Sequence, residues 1–300
     1  MMKLLITGSL GATEEDVRAI EALGHEVTVH KDERVPADHP ERYEGVIGNS
    51  LFYYTGHEGF TSLKYLQITS AGYDRVPMDW VRERGIKIFN ADGVYSGPMA
   101  EWTVMRILEL LKHVPQGFRN QLAGSYKRDL GWQELTDKEV CIAGFGAYGR
   151  EIAKRLKPFG PRITVFNRSI KEDPNVDSFR LLSELKEHLP KADILILAIA
   201  LTPDTRHLID AKALASMKKE AILINGSRGA VIDEAALVQA LTDGKLAGAA
   251  LDVFEQEPLA ADSPLWKLDN VLLSAHNSYL GQNNHRRMME LVLRNLRQQE

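Results

Sequence analysis

The sequence predicts an α/β protein of two doubly wound domains with parallel sheets. Three observations carry that expectation. Apolar strand-like runs alternate with amphipathic helical stretches along the whole chain, the pattern of stacked β-α units. The alternation falls into two series, one ending before residue 95 and one starting near residue 139. The 300 residues, 44% hydrophobic and 26% charged, suffice for two solvated cores of ordinary size.

In the first series Lys3 to Thr7 reads as a strand, and Glu14 to Leu23 as a helix stopped by Gly24. Glu26 to His30, Gly45 to Gly48, Tyr65 to Thr69 and Ile86 to Phe89 read as further strands. At Ser96-Gly97-Pro98, the serine or glycine suits a helix cap and the proline its first position. The apolar period then runs to Leu111, long enough to cross between domains. The second series has strands over Glu139 to Ala143, Ile163 to Phe166, Ile194 to Ala198, Ala221 to Asn225, Gly248 to Asp252 and Val271 to Ser274. Helices fill the gaps, notably Ala147 to Leu156 and Glu234 to Leu241. A last helix over Asn283 to Gln299 follows the polar stretch Asn277 to Gln282, a return crossing. The expected organisation is a discontinuous first domain, 1–95 plus 278–300, around a second over 96–277.

A net charge of -4 gives no general attraction to nucleic acid or an anionic membrane. No apolar stretch approaches the ~20 residues of a membrane helix. Leu4-Leu5-Ile6 runs straight into Thr7-Gly8, like a first strand and unlike a signal core. The single cysteine, Cys141, excludes an intrachain disulfide; within Val140-Cys141-Ile142-Ala143 it reads as an inert core group. The histidines form no pair with metal-ligand spacing, so no metal is expected. A cytoplasmic protein acting on a small molecule is the expectation, without nucleic-acid or membrane partners.

Gly144-Phe145-Gly146-Ala147-Tyr148-Gly149 lies between a strand and a helix, the context that makes a glycine-rich turn a dinucleotide site of the Rossmann type. Gly144 permits the tight turn, Gly146 lets backbone approach the pyrophosphate, and Gly149 lets helix and strand pack closely. The helix N-terminus offers free N–H groups to the anion. An NAD-preferring site usually ends its next strand in an acid that binds the ribose hydroxyls. Here that strand ends in Asn167-Arg168-Ser169 with Lys171 close by. A carboxylate would repel a 2'-phosphate, whereas arginine binds it in a bidentate fashion. NADP(H) is the expected cofactor, with NAD(H) possible.

Three polar residues follow apolar runs in the last part of the chain: Arg228 in Asn225-Gly226-Ser227-Arg228-Gly229, Glu257 soon after Asp252, and His276 after Ser274-Ala275. A cation, a carboxylate and an imidazole at strand ends are the parts needed to protonate a carbonyl oxygen while holding an acid group. With a dinucleotide they point to nicotinamide-dependent reduction of a 2-keto acid in an interdomain cleft. His276 is the expected general acid/base, Glu257 its partner, and Arg228 the ligand of the substrate carboxylate. Asp252 is expected to hold the nicotinamide end or to orient its neighbours. Leu51-Phe52-Tyr53-Tyr54 follows a strand and reads equally as a pocket wall or as interdomain packing. His207 and His285 read as structural, and Trp102 and Trp132 as core or dimer contacts more than pocket walls.

These residues resemble the D-isomer-specific 2-hydroxyacid dehydrogenases, in particular NADP-dependent glyoxylate/hydroxypyruvate reductases. Leu201-Thr202-Pro203-Asp204-Thr205-Arg206-His207 is similar to that family's loop near the nicotinamide, and Asn225 through Asp233 to its arginine motif. Asp252 through Pro258 is similar to its glutamate motif, and Pro264-Leu265-Trp266 with Asn270 through His276 to its histidine motif. Ser70-Ala71-Gly72-Tyr73-Asp74 is similar to its substrate-carboxylate loop. The resemblance implies cofactor contacts at Ala198, Thr202, Pro203, Ser227 and Asp252, substrate contacts at Leu51, Ser70, Ala71 and Gly72, and a homodimer formed through the cofactor domain. Departures are Ala275 where the family often has proline, the polar Asn277-Ser278-Tyr279, and Ala147-Tyr148 in place of a common Arg-Ile pair. The alternatives are a formate-, phosphoglycerate- or phosphite-type dehydrogenase on the same fold, or a dinucleotide-sensing binding protein.

Overall fold

The computed structural model describes residues 1–298. The chain divides into two compact units, Met1–Tyr95 with Gly281–Glu300, and Ser96–Leu280.

The first unit carries a five-stranded parallel sheet in the order β2-β1-β3-β4-β5, with β1 Lys3–Thr7, β2 Glu26–His30, β3 Gly45–Gly48, β4 Tyr65–Ile68 and β5 Lys87–Phe89. Leu4, Leu5 and Ile6 are all buried because both faces of the sheet are covered, which is why β1 reads as an unbroken apolar run. One face packs on α1 (Glu14–Glu21) and α10 (Asn284–Arg297), whose Met288, Met289, Leu291, Val292 and Leu296 join Leu4, Ile6 and Ile20. Thr13 and Asp16 form a capping box at the start of α1, and His285 of α10 reaches Asp16 Oδ2 at 2.9 Å. The last expected residue of α10, Gln299, lies outside the described residues. On the other face, α2 (Leu51–Tyr54) and α3 (Met78–Glu83) cover Leu5, Val46 and Ile68.

The second unit opens with α4 (Ser96–Leu111) and α5 (Val114–Leu122). Ser96 stands inside α4 and is buried, so the helix begins two residues before Pro98, the expected first position. Its sheet has seven parallel strands in the order β12-β11-β10-β9-β6-β7-β8. These are β6 Glu139–Ala143, β7 Arg162–Asn167, β8 Ser178–Leu181, β9 Ile194–Leu197, β10 Ile222–Asn225, β11 Gly248–Leu251 and β12 Val271–Leu273. Alternate residues serve opposite layers. Val140, Ile142, Ile194, Ile196 and Ile222 pack toward α4 and α6 (Ala147–Leu156). Cys141, Ala143, Leu195, Leu197 and Leu223 pack toward α7 (Leu185–His188), α8 (Ala211–Ser216) and α9 (Glu234–Thr242). Cys141 is the inert core group expected, its thiol pushed up to about 12 by burial.

The sequence reading passed over β8 and α5. Ser178-Phe179-Arg180-Leu181 is a half-buried edge strand that pairs only with β7, so it lacks a long apolar run. The α5 segment Val-Pro-Gln-Gly opens with two helix-poor residues and has no buried side chain. The return crossing falls at Leu280/Gly281 rather than at 277/278, because Asn277 and Ser278 donate backbone N–H groups to the buried Asp252 carboxylate.

Candidate active site

In the second unit the chain runs from β6 to β7 and β8 on one side, then returns to place β9 against the other side of β6. Such a switch point opens a crevice at the carboxyl ends of the strands. The glycine turn lies there. Gly144 has φ +98°, and a Cβ on it would stand 2.3 Å from Ala198 O, so the ends of β6 and β9 cross backbone to backbone. At Gly149 a Cβ would stand 2.3 Å from Gly144 O, which is the close helix-strand packing expected of it. A Cβ on the exposed Gly146 meets nothing within 4 Å. No packing contact inside the protein demands glycine there, and the open space suits close approach by a phosphate. Gly146 also caps α6 with no side-chain bond, leaving first-turn N–H groups for an anion.

Tyr148 departs from the expectation of a cofactor contact through its side chain. Its hydroxyl pairs with Thr103 Oγ1 at 2.7 Å, and a Cβ on Gly226 would meet that hydroxyl at 2.6 Å. The ring is a wedge between α6, α4 and the β10 loop, and burial pushes the phenol pKa up. Only the Tyr148 backbone remains for a phosphate. After β7, the Asn167 amide donates to Ser169 O at 3.1 Å and shapes the turn, while Arg168, Ser169 and Lys171 are exposed. Among the described residues neither Arg168 nor Lys171 forms an ion pair. After β9, Thr202 and Pro203 sit on an exposed turn, which Thr205 closes by donating to Ala200 O and accepting from Thr202 N, both at 2.7 Å. These residues fit a dinucleotide laid across the strand ends, with cations at the adenosine end.

Arg228, Glu257 and His276 leave the carboxyl ends of three adjacent strands, β10, β11 and β12. His276 Nδ1 lies 2.7 Å from Glu257 Oε2, and the second Glu257 oxygen accepts from Phe254 N at 3.1 Å. A carboxylate on Nδ1 orients the imidazole and fixes which ring nitrogen faces outward. The pair is partly exposed, 43% for the His276 side chain and 35% for Glu257, so solvent and small molecules reach the imidazole. Tyr279 stands edge-on to the His276 ring at 6.3 Å.

Arg228 is held within its own loop. Asn225 donates to Arg228 O at 3.0 Å, and Arg228 Nη1 donates to Ser227 O at 2.8 Å. A Cβ on Gly229 would stand 1.9 Å from Phe254 C, so the Arg228 loop and the Glu257 loop are in backbone contact and only glycine permits it. Ser227 lies in the same loop as Arg228 and is buried. Its N–H and Oγ both donate to Asn225 Oδ1, at 3.0 and 2.9 Å, so its side chain braces the loop.

Asp252 resolves the same way. It is fully buried; Oδ1 accepts from Ser274 Oγ at 2.6 Å and Asn277 N at 3.0 Å, and Oδ2 from Ser278 N at 2.9 Å. These bonds let it orient its neighbours. It pins both flanks of His276, which itself adopts φ +49° and donates its N–H to Asp252 O at 2.8 Å. Trp102 extends the brace by donating to Ser274 Oγ at 3.1 Å. The helical period of α4 marks Trp102 as an inward position but does not reveal this partner. Trp132, by contrast, is 61% exposed. His207 is paired with Glu255 at 2.6 Å, a strap between the β9 and β11 loops.

In the first unit, the loop after β4 has its carbonyls occupied. Ser70 Oγ donates to Gly72 O at 2.9 Å, Asn90 to Ala71 O at 2.7 Å, and Ala91 N to Ser70 O at 2.9 Å. The N–H groups of Ala71 and Gly72 donate to no acceptor among the described residues, and outward N–H groups suit a carboxylate. Leu51 is corrected: its side chain is 1% exposed and packs in the core with Phe60 and Ile68, whereas Tyr53 and Tyr54 are exposed. Among the described residues no group of three or more His, Cys, Asp or Glu gathers as a metal site, and no helix is long and apolar enough to cross a membrane.

Residues 104–278 match the family model of the D-isomer specific 2-hydroxyacid dehydrogenase, NAD binding domain. A glyoxylate reductase of Pyrococcus horikoshii is 36% identical over 247 residues, which is 80% of this chain and 74% of that protein. Among solved structures, a glyoxylate reductase from Paecilomyes thermophila superimposes with TM-score 0.84 at 28% identity, covering 98% of this chain and 94% of that one. The NADPH-dependent glyoxylate/hydroxypyruvate reductase of Sinorhizobium meliloti gives TM-score 0.79 at 27% identity over 99% and 93%. The chain belongs to the D-isomer specific 2-hydroxyacid dehydrogenase family and is an oxidoreductase acting on CH–OH donors.

Proposed function

We propose that the protein reduces a small 2-keto acid to the D-2-hydroxy acid with NADPH. The observation that carries the reading is the His276–Glu257 pair, 2.7 Å apart and open to solvent, beside the loop that presents Arg228. Bound NADPH supplies hydride to the 2-carbon. His276 gives a proton to the developing alkoxide, and Glu257 holds the ring in register. Arg228 binds the substrate carboxylate and polarises the carbonyl. In the first unit, the N–H groups of Ala71 and Gly72 serve a substrate carboxylate. The first turn of α6 takes the pyrophosphate; Ala198, Thr202 and Pro203 line the nicotinamide side. Arg168, Ser169 and Lys171 take the 2'-phosphate, in keeping with the NADPH-dependent relative. The intact trio argues against a silent sensor.

Two further assignments belong to this reading. A cytoplasmic setting accords with a single cysteine that is buried. A homodimer through the second unit accords with its exposed apolar side chains, Phe118, Leu122, Tyr126, Leu130 and Trp132, between 60% and 101% exposed.

The deciding experiment measures NADPH and NADH oxidation with glyoxylate, hydroxypyruvate, pyruvate, a branched-chain keto acid and phenylpyruvate, for the wild type and His276→Ala. Turnover with NADPH, falling roughly 10²–10⁴-fold in the variant, is expected. Absence of turnover in a wild type that binds NADPH would overturn the proposal for these substrates.

A further inference from the structure

Four loops of the first unit leave the carboxyl ends of β1, β2, β3 and β4, and one carboxylate gathers them. Glu33, after β2, accepts at Oε1 from Thr7 Oγ1, from Ser9 Oγ at 3.0 Å and from Asn49 N at 2.7 Å, and at Oε2 from Ser50 N at 2.9 Å. Thr7 ends β1, Ser9 follows it, and Asn49 and Ser50 follow β3. Because β1 and β3 are neighbours while β2 lies on the far side of β1, Glu33 sits over the point where the strand order reverses. Thr69 Oγ1, at the end of β4, donates to Ser9 Oγ at 3.2 Å and so joins the same cluster. Ser70, the first residue of the proposed carboxylate loop, is next in the chain.

The local backbone is cut to admit this carboxylate. A Cβ on Gly48 would lie 2.9 Å from Glu33 Oε1 and 2.8 Å from Thr7 Oγ1, so a side chain there would push Glu33 off its donors. Arg75, from the stretch after the carboxylate loop, donates to Ser50 Oγ at 3.0 Å and ties the two loops on their outer side. A cation therefore stands at the start of α2, a segment whose own sequence supplies none.

We propose that Glu33 is a positioning residue for substrate binding, holding the β3 and β4 loops of the first unit so that the Ala71 and Gly72 amides keep one orientation. This rests on the carboxylate-loop reading given under the proposed function. An ionised carboxylate is the side chain that accepts all these bonds at once. Glutamine does not replace it, since its amide nitrogen would face the Ser50 or Asn49 N–H, donor against donor.

The test compares wild type with Glu33→Gln, and with Gly48→Ala as an independent way to displace the carboxylate. Steady-state KM and kcat for the best keto acid, the NADPH dissociation constant by fluorescence, and amide exchange at Asn49, Ser50, Ala71 and Gly72 are read well below the melting transition. The expected result is a keto-acid KM raised tenfold or more with kcat changed less, NADPH affinity within twofold, and faster exchange at Asn49 and Ser50. A general loss of fold would move kcat, KM and NADPH affinity together. A KM within twofold of wild type in both variants overturns the proposal. If the wild type reduces no keto acid, the functional reading fails by itself. Amide exchange then still decides the clamp, and unchanged protection at Asn49 and Ser50 in Glu33→Gln overturns it.

Discussion

His276 occupies a left-handed backbone conformation, φ +49°, with its ring anchored by Glu257 and its N–H by Asp252. A non-glycine residue in this region is uncommon, and its conformation is held by its surroundings. Here the buried Asp252 supplies that constraint from both flanks. The trio itself was legible as three residues in three motifs, but its working partners were not. Nothing in Trp102 or Ser274 as letters announces a bond between them. The adenosine end is the reverse case, since Arg168 was legible from the missing acid alone and remains exposed. Replacing Arg168 by alanine is expected to raise KM for NADPH and leave KM for NADH nearly unchanged. Loss of charged hydrogen bonds to a phosphate, each about 1.5–3 kcal/mol, corresponds to roughly tenfold to a hundredfold. Equal effects on both cofactors would remove Arg168 from the 2'-phosphate.

Among the elements, the seven parallel strands of the second unit place that unit's candidate groups at one end of the sheet, and its opposite end is braced by ion pairs. Asp193, just before β9, accepts from Glu139 N at 2.8 Å and from Lys218 Nζ at 2.7 Å, tying the starts of β6 and β9 together. Burial alone would raise its pKa, but the Lys218 and Glu139 hydrogen bonds outweigh that and lower it from the usual carboxylate value. A group whose folded pKa is depressed stabilises the fold above its unfolded pKa, about 3.9, and the contribution is lost as pH falls through the folded value. Urea denaturation of wild type and Asp193→Asn should therefore differ at pH 7 and converge below about pH 4. A difference that persists into acid would assign the effect to packing.

At the scale of the whole molecule, the chain leaves its first unit at Tyr95 and returns to it at Gly281. The fold of that unit depends on a helix encoded nearly two hundred residues after its last strand. Leu296 is fully buried against the β1 layer, and Asn295 donates to the buried Gln67 at 2.7 Å. Leu296→Ala should cost about 2–5 kcal/mol. Calorimetry should show the loss in the transition of the first unit, with NADPH binding by the second retained below it. A single unchanged transition would show that α10 adds little. For assembly, light scattering behind size exclusion should return twice the 33.6 kDa chain mass. A monomer at micromolar concentration would discard the proposed role of the apolar segment around Trp132.

The sequence by itself determined the two β-α series, the glycine turn and the order of the three candidate catalytic residues. These features are written in unbroken apolar strand runs and helical apolar patterns, in glycines with local steric reasons, and in motifs short enough to read along the chain. Only the tertiary structure decided that Leu51, Ser227 and the Tyr148 side chain serve packing, that Asp252 braces the His276 loop, and that Glu33 gathers four loops. Each of those outcomes depends on partners up to dozens of positions distant. A parallel sheet brings the carboxyl ends of separate strands together, so neighbours in space there are seldom neighbours in sequence. A side chain that is polar in the sequence becomes a brace or a reactive group according to which donors the fold has already brought to it.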